Sequence, residues 1–409
     1  MRTLHPPAVY IVESVLADPA AKARADCFMG RVEAGSVEVV SDARLAELIE
    51  SNGWSESRRL SGRQRHGDPP IVLDVYRFDG PEWATGAPPR QERAANRLGP
   101  HRGWHFRSGA GVGRGDGLVC QDGYGINTAY GCLFKCDYCY FEDVLLLNLN
   151  LEALLERLDP IIRAAPSPSL WKWDNLSDTL CFEPEMGAAG LFVEYFAQFD
   201  DRYLMTYSKS DNVDCLLDLD HRGQTICCWT LNADTQSRLI ERGAATTEER
   251  IEAARKCQQA GYRVRFRFSA ICPVRDWERE NAEMLDRLFD SVRPDVITLE
   301  TLSRMPDKQM FENVMQPELF EPRFLEAIRR GSPEIEGRIW GPLPDDLREE
   351  LYRWFIREIR RRSPDTPVSL CQEPASMWKR LADVLAYGPE HYPCACAVDS
   401  VPGGHPAFA

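Results

Sequence analysis

The sequence predicts an α/β protein: a small N-terminal α/β domain, an open partial (β/α)6 barrel and a cysteine-containing C-terminal extension. Two patterns carry this. Strand-like and helix-like segments alternate from Asn127 onward, and repeated β–α units imply a parallel sheet. A loop holding three cysteines stands at the start of that series. Such barrels place their chemistry at the C-terminal ends of the strands. The expected divisions are residues 1–115 (α/β domain and linker), 116–305 (barrel) and 306–409 (C-terminal region).

The elements follow in order. Residues 8–12 (AVYIV) read as a strand, 20–30 as a helix, 37–40 (VEVV) as a strand and 43–50 as a helix. This βαβα opening is the small domain. Residues 51–70 are polar and read as loop, 71–76 as a strand, and the Pro-, Arg- and Gly-rich 81–100 as a linker. The glycine run at 109–115 lacks the preceding strand and following helix of a dinucleotide fingerprint, and reads as an approach to the cysteine loop. Helices are expected at 151–164, 188–199, 213–219, 247–260 and 277–291. Strands are expected at 203–207, 225–231, 263–271 and 296–302, with a short strand and turn at 177–182.

The cysteine loop is Gly131-Cys132-Leu133-Phe134-Lys135-Cys136-Asp137-Tyr138-Cys139-Tyr140, a C-x3-C-x2-C spacing. Three thiolates this close can ligate three irons of a cubane [4Fe–4S] cluster, which ordinarily takes four cysteines. The open iron can chelate the amino and carboxylate groups of S-adenosylmethionine (SAM) and pass it an electron. Zinc wants four N or S ligands, usually in paired C-x2-C units, and no second pair stands at a suitable distance. A disulfide would leave one thiol over.

Fourteen cysteines without an opening signal-peptide pattern suggest a reducing cytoplasm and metal ligation. No apolar run approaches membrane-spanning length. The net charge of −14 disfavours duplex DNA as the main partner and favours a small molecule.

The order of segments resembles spore photoproduct lyase and its wider radical-SAM family, from Ala8 to at least Leu302. The cysteine loop carries the resemblance. Local matches add to it: Ile126 to Gly131, Tyr138-Cys139-Tyr140, Thr206-Tyr207-Ser208-Lys209, the strand from Gly223 to Asn232, and the helix from Arg250 to Gly261. The resemblance implies that Cys132, Cys136 and Cys139 ligate the cluster and that Tyr138 and Tyr140 line the SAM pocket. It implies that Ser177 and Asp178 grip the methionyl group, Lys209 meets the SAM carboxylate, Thr230 contacts the ribose or amino acid portion, and Ser269 or Ala270 lies by the adenine. Each has a plainer alternative: core tyrosines, a turn motif, a solvated lysine, an ordinary strand threonine.

One departure stands out. The lyase carries a hydrogen-donating cysteine two residues before its Ser-Asp pair, where this chain has Asn175. A shifted alignment would put Cys181 in that catalytic role. A second feature is Cys371 with Cys394-Ala395-Cys396, a candidate auxiliary [4Fe–4S] cluster with three ligands and a fourth position either open or supplied by Cys272, Cys227 or Cys120.

The functional expectation is a cytoplasmic enzyme that cleaves SAM reductively and uses the 5′-deoxyadenosyl radical on a nucleoside or nucleotide. One concrete version is sulfur-for-oxygen exchange on a thiosugar nucleoside. An electron donor such as flavodoxin or ferredoxin is implied, with no duplex DNA and no membrane. The alternatives are a DNA photoproduct lyase and a non-catalytic iron–sulfur or zinc protein.

Overall fold

The structure is a computed structural model that describes residues 2–54, 63, 65–78, 103–109, 117–139, 144–305 and 308–408. Its strands, in chain order, are β1 (Val9–Val12), β2 (Val37–Val40), β3 (Ile71–Asp74), β4 (Trp104–Arg107), β5 (Gly123–Ile126), β6 (Ala129–Tyr130), β7 (Lys135–Cys136) and β8 (Leu145–Asn148). They continue as β9 (Ser169–Trp173), β10 (Arg202–Ser208), β11 (Thr225–Thr230), β12 (Glu241–Arg242), β13 (Arg263–Ile271), β14 (Ile297–Thr301) and β15 (Val368–Leu370).

The main sheet has the order β15-β14-β13-β11-β10-β9-β5-β4. Every neighbouring pair from β5 to β15 is parallel, and β4 closes one edge antiparallel to β5. Sequential parallel order requires a crossover after each strand. The helices Leu151–Ala164, Ala188–Phe196, Thr247–Gln259 and Trp277–Ser291 serve that purpose. The helix at Thr247 starts with a capping box, in which Thr246 and Glu249 satisfy each other's backbone N–H groups. Trp171, Trp173, Trp229 and Trp277 are wholly buried in or against the sheet.

A second sheet, β2-β1-β3-β8-β6, is parallel except for β6. Its strand β8 comes from far along the chain. Leu145 to Leu147 are all buried, so this strand has no polar face to betray it by alternation. Strand β9, buried at all five positions, likewise shows no alternation in the sequence. The strand expected at 177–182 is instead turn throughout residues 179–186, because Asp178 caps it. The linker expected at 81–100 lies outside the described residues, as do residues 110–115 of the glycine run. Cys27 is exposed and Cys257 buried. Among the described residues no helix is long and apolar enough to cross a membrane.

Candidate active site

The cysteine loop leaves β6 through Gly131, whose φ of +77° is open to glycine. A Cβ there would sit 2.6 Å from the Val144 carbonyl oxygen. The loop turns back at Cys139, whose N–H donates to the Cys136 carbonyl at 2.9 Å. Between them β7 pairs antiparallel with β12, Cys136 opposite Glu241. Buried Asp137 fastens the loop, accepting from Arg242 at 2.8 Å and from Gln316 at 2.6 Å.

Cys132, Cys136 and Cys139 all line one cavity of about 210 Å³. Burial, together with Cys139, pushes the Cys132 thiol up to about 12. Among the described residues no three His, Cys, Asp or Glu side chains form a site for a single metal ion. Three soft thiols that line one cavity fit a cubane, where each thiolate takes a different iron.

The C-terminal ends of five strands supply much of the remaining lining: Ser177 and Asp178 after β9, Tyr207 to Lys209 at β10, Thr230 at β11, Arg267, Ser269 and Ala270 at β13, and Glu300 at β14. Tyr138 lines it too, its hydroxyl donating to the Glu241 carboxylate. Lys209 lies 5.9 Å from the Tyr138 ring. Burial works against its charge, but Glu241 and Cys136 outweigh this and hold its pKa above the ordinary value. Burial also opposes ionisation of Glu241, and Arg250 with Lys209 overcomes it. Arg250 pairs with Glu241 at 2.6 Å, both side chains fully buried.

The Ser-Asp pair is differently engaged from the expectation. Ser177 Oγ donates to the Gly131 carbonyl at 2.5 Å. Asp178 accepts at Oδ1 from Ser208 Oγ (2.8 Å) and from Leu180 and Cys181 N–H (3.1 Å each), and at Oδ2 from Lys209 N–H (2.6 Å). Burial nevertheless raises its pKa. Both residues line the cavity, yet both hold the protein's own backbone. Thr230 Oγ1 meets the Tyr207 hydroxyl at 2.9 Å, and Ser269 donates to Glu300 at 2.6 Å.

One expected catalytic residue is not brought here. Cys181 is buried in the turn behind Asp178, its Sγ 3.4 Å from the Asp178 carbonyl, and is absent from the lining. Tyr140 lies outside the described residues. Asn175 does line the cavity and accepts from Lys172 at 2.7 Å. Sequence reasoning missed Lys172, Arg267 and Glu300. Arg267 donates to Glu300 at 2.9 Å, to the Tyr207 hydroxyl at 3.3 Å and to Cys371 Sγ at 3.1 Å. For Lys172 and Glu300 the signal was a single charge in an otherwise uncharged strand; Arg267 sits in a strand whose arginines alternate.

Three comparisons bear on this arrangement. The family model for spore photoproduct lyase matches residues 119–308. The spore photoproduct lyase of Bacillus subtilis strain 168 is 29% identical over 202 residues, 46% of this chain and 59% of that protein. That of Clostridium acetobutylicum is 23% identical over 187 residues, 44% and 56% respectively. The matched segment thus spans just over half the length of these curated relatives. A solved spore photoproduct lyase complexed with dinucleoside spore photoproduct aligns with a TM-score of 0.59 at 19% identity, over 89% of this chain and 98% of that one. A variant lyase with bound AdoMet and dinucleoside spore photoproduct aligns at 0.58, also at 19% identity. At such identity these two establish likeness of fold.

The comparison overturns the expectation of a nucleoside or nucleotide small molecule with no part for duplex DNA. The lyase's own ligand is a dinucleoside photoproduct. A net charge of −14 is summed over the whole chain and does not describe the cavity, where Lys172, Lys209, Arg267 and Arg304 stand together. The thiosugar exchange finds no support among these relatives. The cysteine loop, the strand order and the matched segment agree: over residues 119–308 the chain is spore photoproduct lyase-like.

Proposed function

We propose that this chain is a radical SAM enzyme of the spore photoproduct lyase type, acting on a dinucleoside photoproduct. The observation that carries the reading is the single cavity shared by Cys132, Cys136, Cys139 and the polar strand ends of β10, β11, β13 and β14. Cys132, Cys136 and Cys139 would hold a [4Fe–4S] cluster. With SAM bound, that group supplies the electron and the radical chemistry, while the protein supplies placement and shielding.

The chain's own residues have distinct parts in this reading. Lys209, kept charged by Glu241 and Cys136, offers a cation to the SAM carboxylate. Tyr138, held by Glu241, forms one wall. Ser177 and Asp178 act as positioning residues that fix the cluster loop and the end of β10. Thr230, Ser269 and Ala270 line the space left for the ribose and adenine. With Cys181 turned away, the described cavity lining offers no thiol as hydrogen donor besides the cluster cysteines.

The test is anaerobic incubation of reconstituted protein with dithionite, SAM and dinucleoside spore photoproduct. The reading expects 5′-deoxyadenosine and loss of the photoproduct, both abolished when Cys132, Cys136 and Cys139 are replaced by Ala. SAM cleavage without photoproduct turnover would overturn the substrate. No cleavage by a protein carrying its cluster would overturn the enzyme and leave the scaffold alternative.

A further inference from the structure

Four further thiols gather behind the cavity wall, from three separated segments. Cys120 lies on a stretch that pairs with the chain after β15: Leu118 bridges Pro374 antiparallel, and Val119 N–H donates to the Glu373 carbonyl at 2.9 Å. That neighbour carries Cys371, whose N–H is held by the Leu299 carbonyl at 2.8 Å. On the other flank the Gln121 side-chain amide donates to the Tyr392 carbonyl, and Val398 N–H donates to Asp122 O at 3.0 Å. The flanking segment carries Cys394 and Cys396, whose thiols hydrogen-bond to each other. Buried Tyr392 lies within electrostatic reach of all four sulfurs.

The surrounding charge points to an anion. Arg107 reaches Cys396 Sγ at 3.7 Å and Arg267 reaches Cys371 Sγ at 3.1 Å, while burial lowers the Lys172 ammonium to about 8 with Cys396 opposing it. Arg267 has Glu300 as its carboxylate. Among the described residues neither Arg107 nor Lys172 is paired with a carboxylate. Cations withdrawn from water without counter-charge are costly, and an anionic group among the thiols would balance half-buried Arg107 and buried Lys172.

We infer that Cys120, Cys371, Cys394 and Cys396 ligate a second iron–sulfur cluster, separated from the cavity by the Arg267 side chain. Four cysteines complete its ligation, which suits a redox group rather than a substrate-binding iron. The other two candidates for fourth ligand stand elsewhere. Cys272 hydrogen-bonds Gln236 beside the first loop, and Cys227 adjoins Cys257 in the core.

The test counts iron and sulfide in anaerobically reconstituted full chain. Wild type should carry about eight of each, two cubanes' worth. Replacing Cys132, Cys136 and Cys139 by Ala should leave about four irons and absorbance near 400 nm. Replacing Cys394 and Cys396 by Ser should also leave about four, with an electron paramagnetic resonance signal that still shifts on adding SAM. The loop variant keeps the test decisive if the C-terminal variant fails to fold. About four irons in wild type, all lost from the loop variant, would overturn the inference, as would one bound zinc or a native Cys394–Cys396 disulfide by mass. Two clusters without SAM cleavage would sink the proposed activity and leave this inference standing.

Discussion

The Ser177 hydroxyl donates to the Gly131 carbonyl at 2.5 Å, and the Gly131 N–H donates to the Leu176 carbonyl at 3.0 Å. This two-bond clasp ties the turn after β9 to the residue that opens the cysteine loop. Position 131 has no room for a Cβ and a left-handed φ. Gly131→Ala should therefore cost about 1–3 kcal/mol and lower the iron retained by the loop. Ser177→Ala should cost about 1 kcal/mol, the scale of one hydrogen bond. Urea unfolding with iron analysis checks both; wild-type values for Gly131→Ala would refute the strain argument.

Glu183 gives a pH dependence. Burial raises its carboxyl from about 4.5 to about 7, despite an N–H from Ala188 at 3.1 Å. A pKa raised in the folded state means that the folded protein binds the extra proton between those values. Stability then falls as pH rises from about 4.5 through about 7, by up to about 3 kcal/mol. Glu183→Gln should flatten that segment of the profile and be the more stable protein at pH 8. A parallel profile in the variant would show that another group sets the slope.

The buried Glu241–Arg250 pair supports both Tyr138 and the end of β11, since Arg250 also donates to the Thr230 carbonyl at 3.1 Å. Arg250→Met leaves a buried carboxylate without its main partner and should cost about 3–5 kcal/mol. The double variant with Glu241→Met should recover part of that loss. Equal destabilisation in single and double variants, measured by denaturant unfolding, would mean that the pair's packing matters more than its charge.

Much of this arrangement was legible in the sequence, for identifiable reasons. The strand–helix alternation from β10 to β14 shows because each element spans several residues of clear pattern. The cysteine loop shows because its ligands are local. Strand β8 was not legible, because its place in the N-terminal sheet depends on pairing with β3, some seventy residues away. The roles of Arg265 and Arg267 were hidden for another reason. Alternation in Arg-Val-Arg-Phe-Arg-Phe reads as a strand with one wet face. Here that face is covered by the C-terminal segment, with Arg265 donating to the Ala395 carbonyl at 3.1 Å. The convergence of Cys120 with Cys371, Cys394 and Cys396 is likewise a tertiary fact.

Asp178 separates two readings of the site. As a SAM contact it would offer a carboxylate to the ammonium group. In the structure both its oxygens are already taken, by Ser208, Leu180, Cys181 and Lys209. Asp178→Asn would turn an amide donor toward some of those donors. It should lower stability by about 1–3 kcal/mol in the absence of SAM, the cost of leaving buried groups unpaired. Any loss of SAM affinity would then follow from a displaced Lys209. Lys209→Met, by contrast, should weaken SAM binding by a similar amount while leaving Asp178 in place, because Asp178 is held by the Lys209 backbone and not by its side chain, and Glu241 keeps its Arg250 partner. Calorimetric titration of reconstituted protein and SAM-free unfolding, run on both variants, decide between the readings. Full stability with weakened SAM binding in Asp178→Asn would return the carboxylate to a direct role in holding SAM.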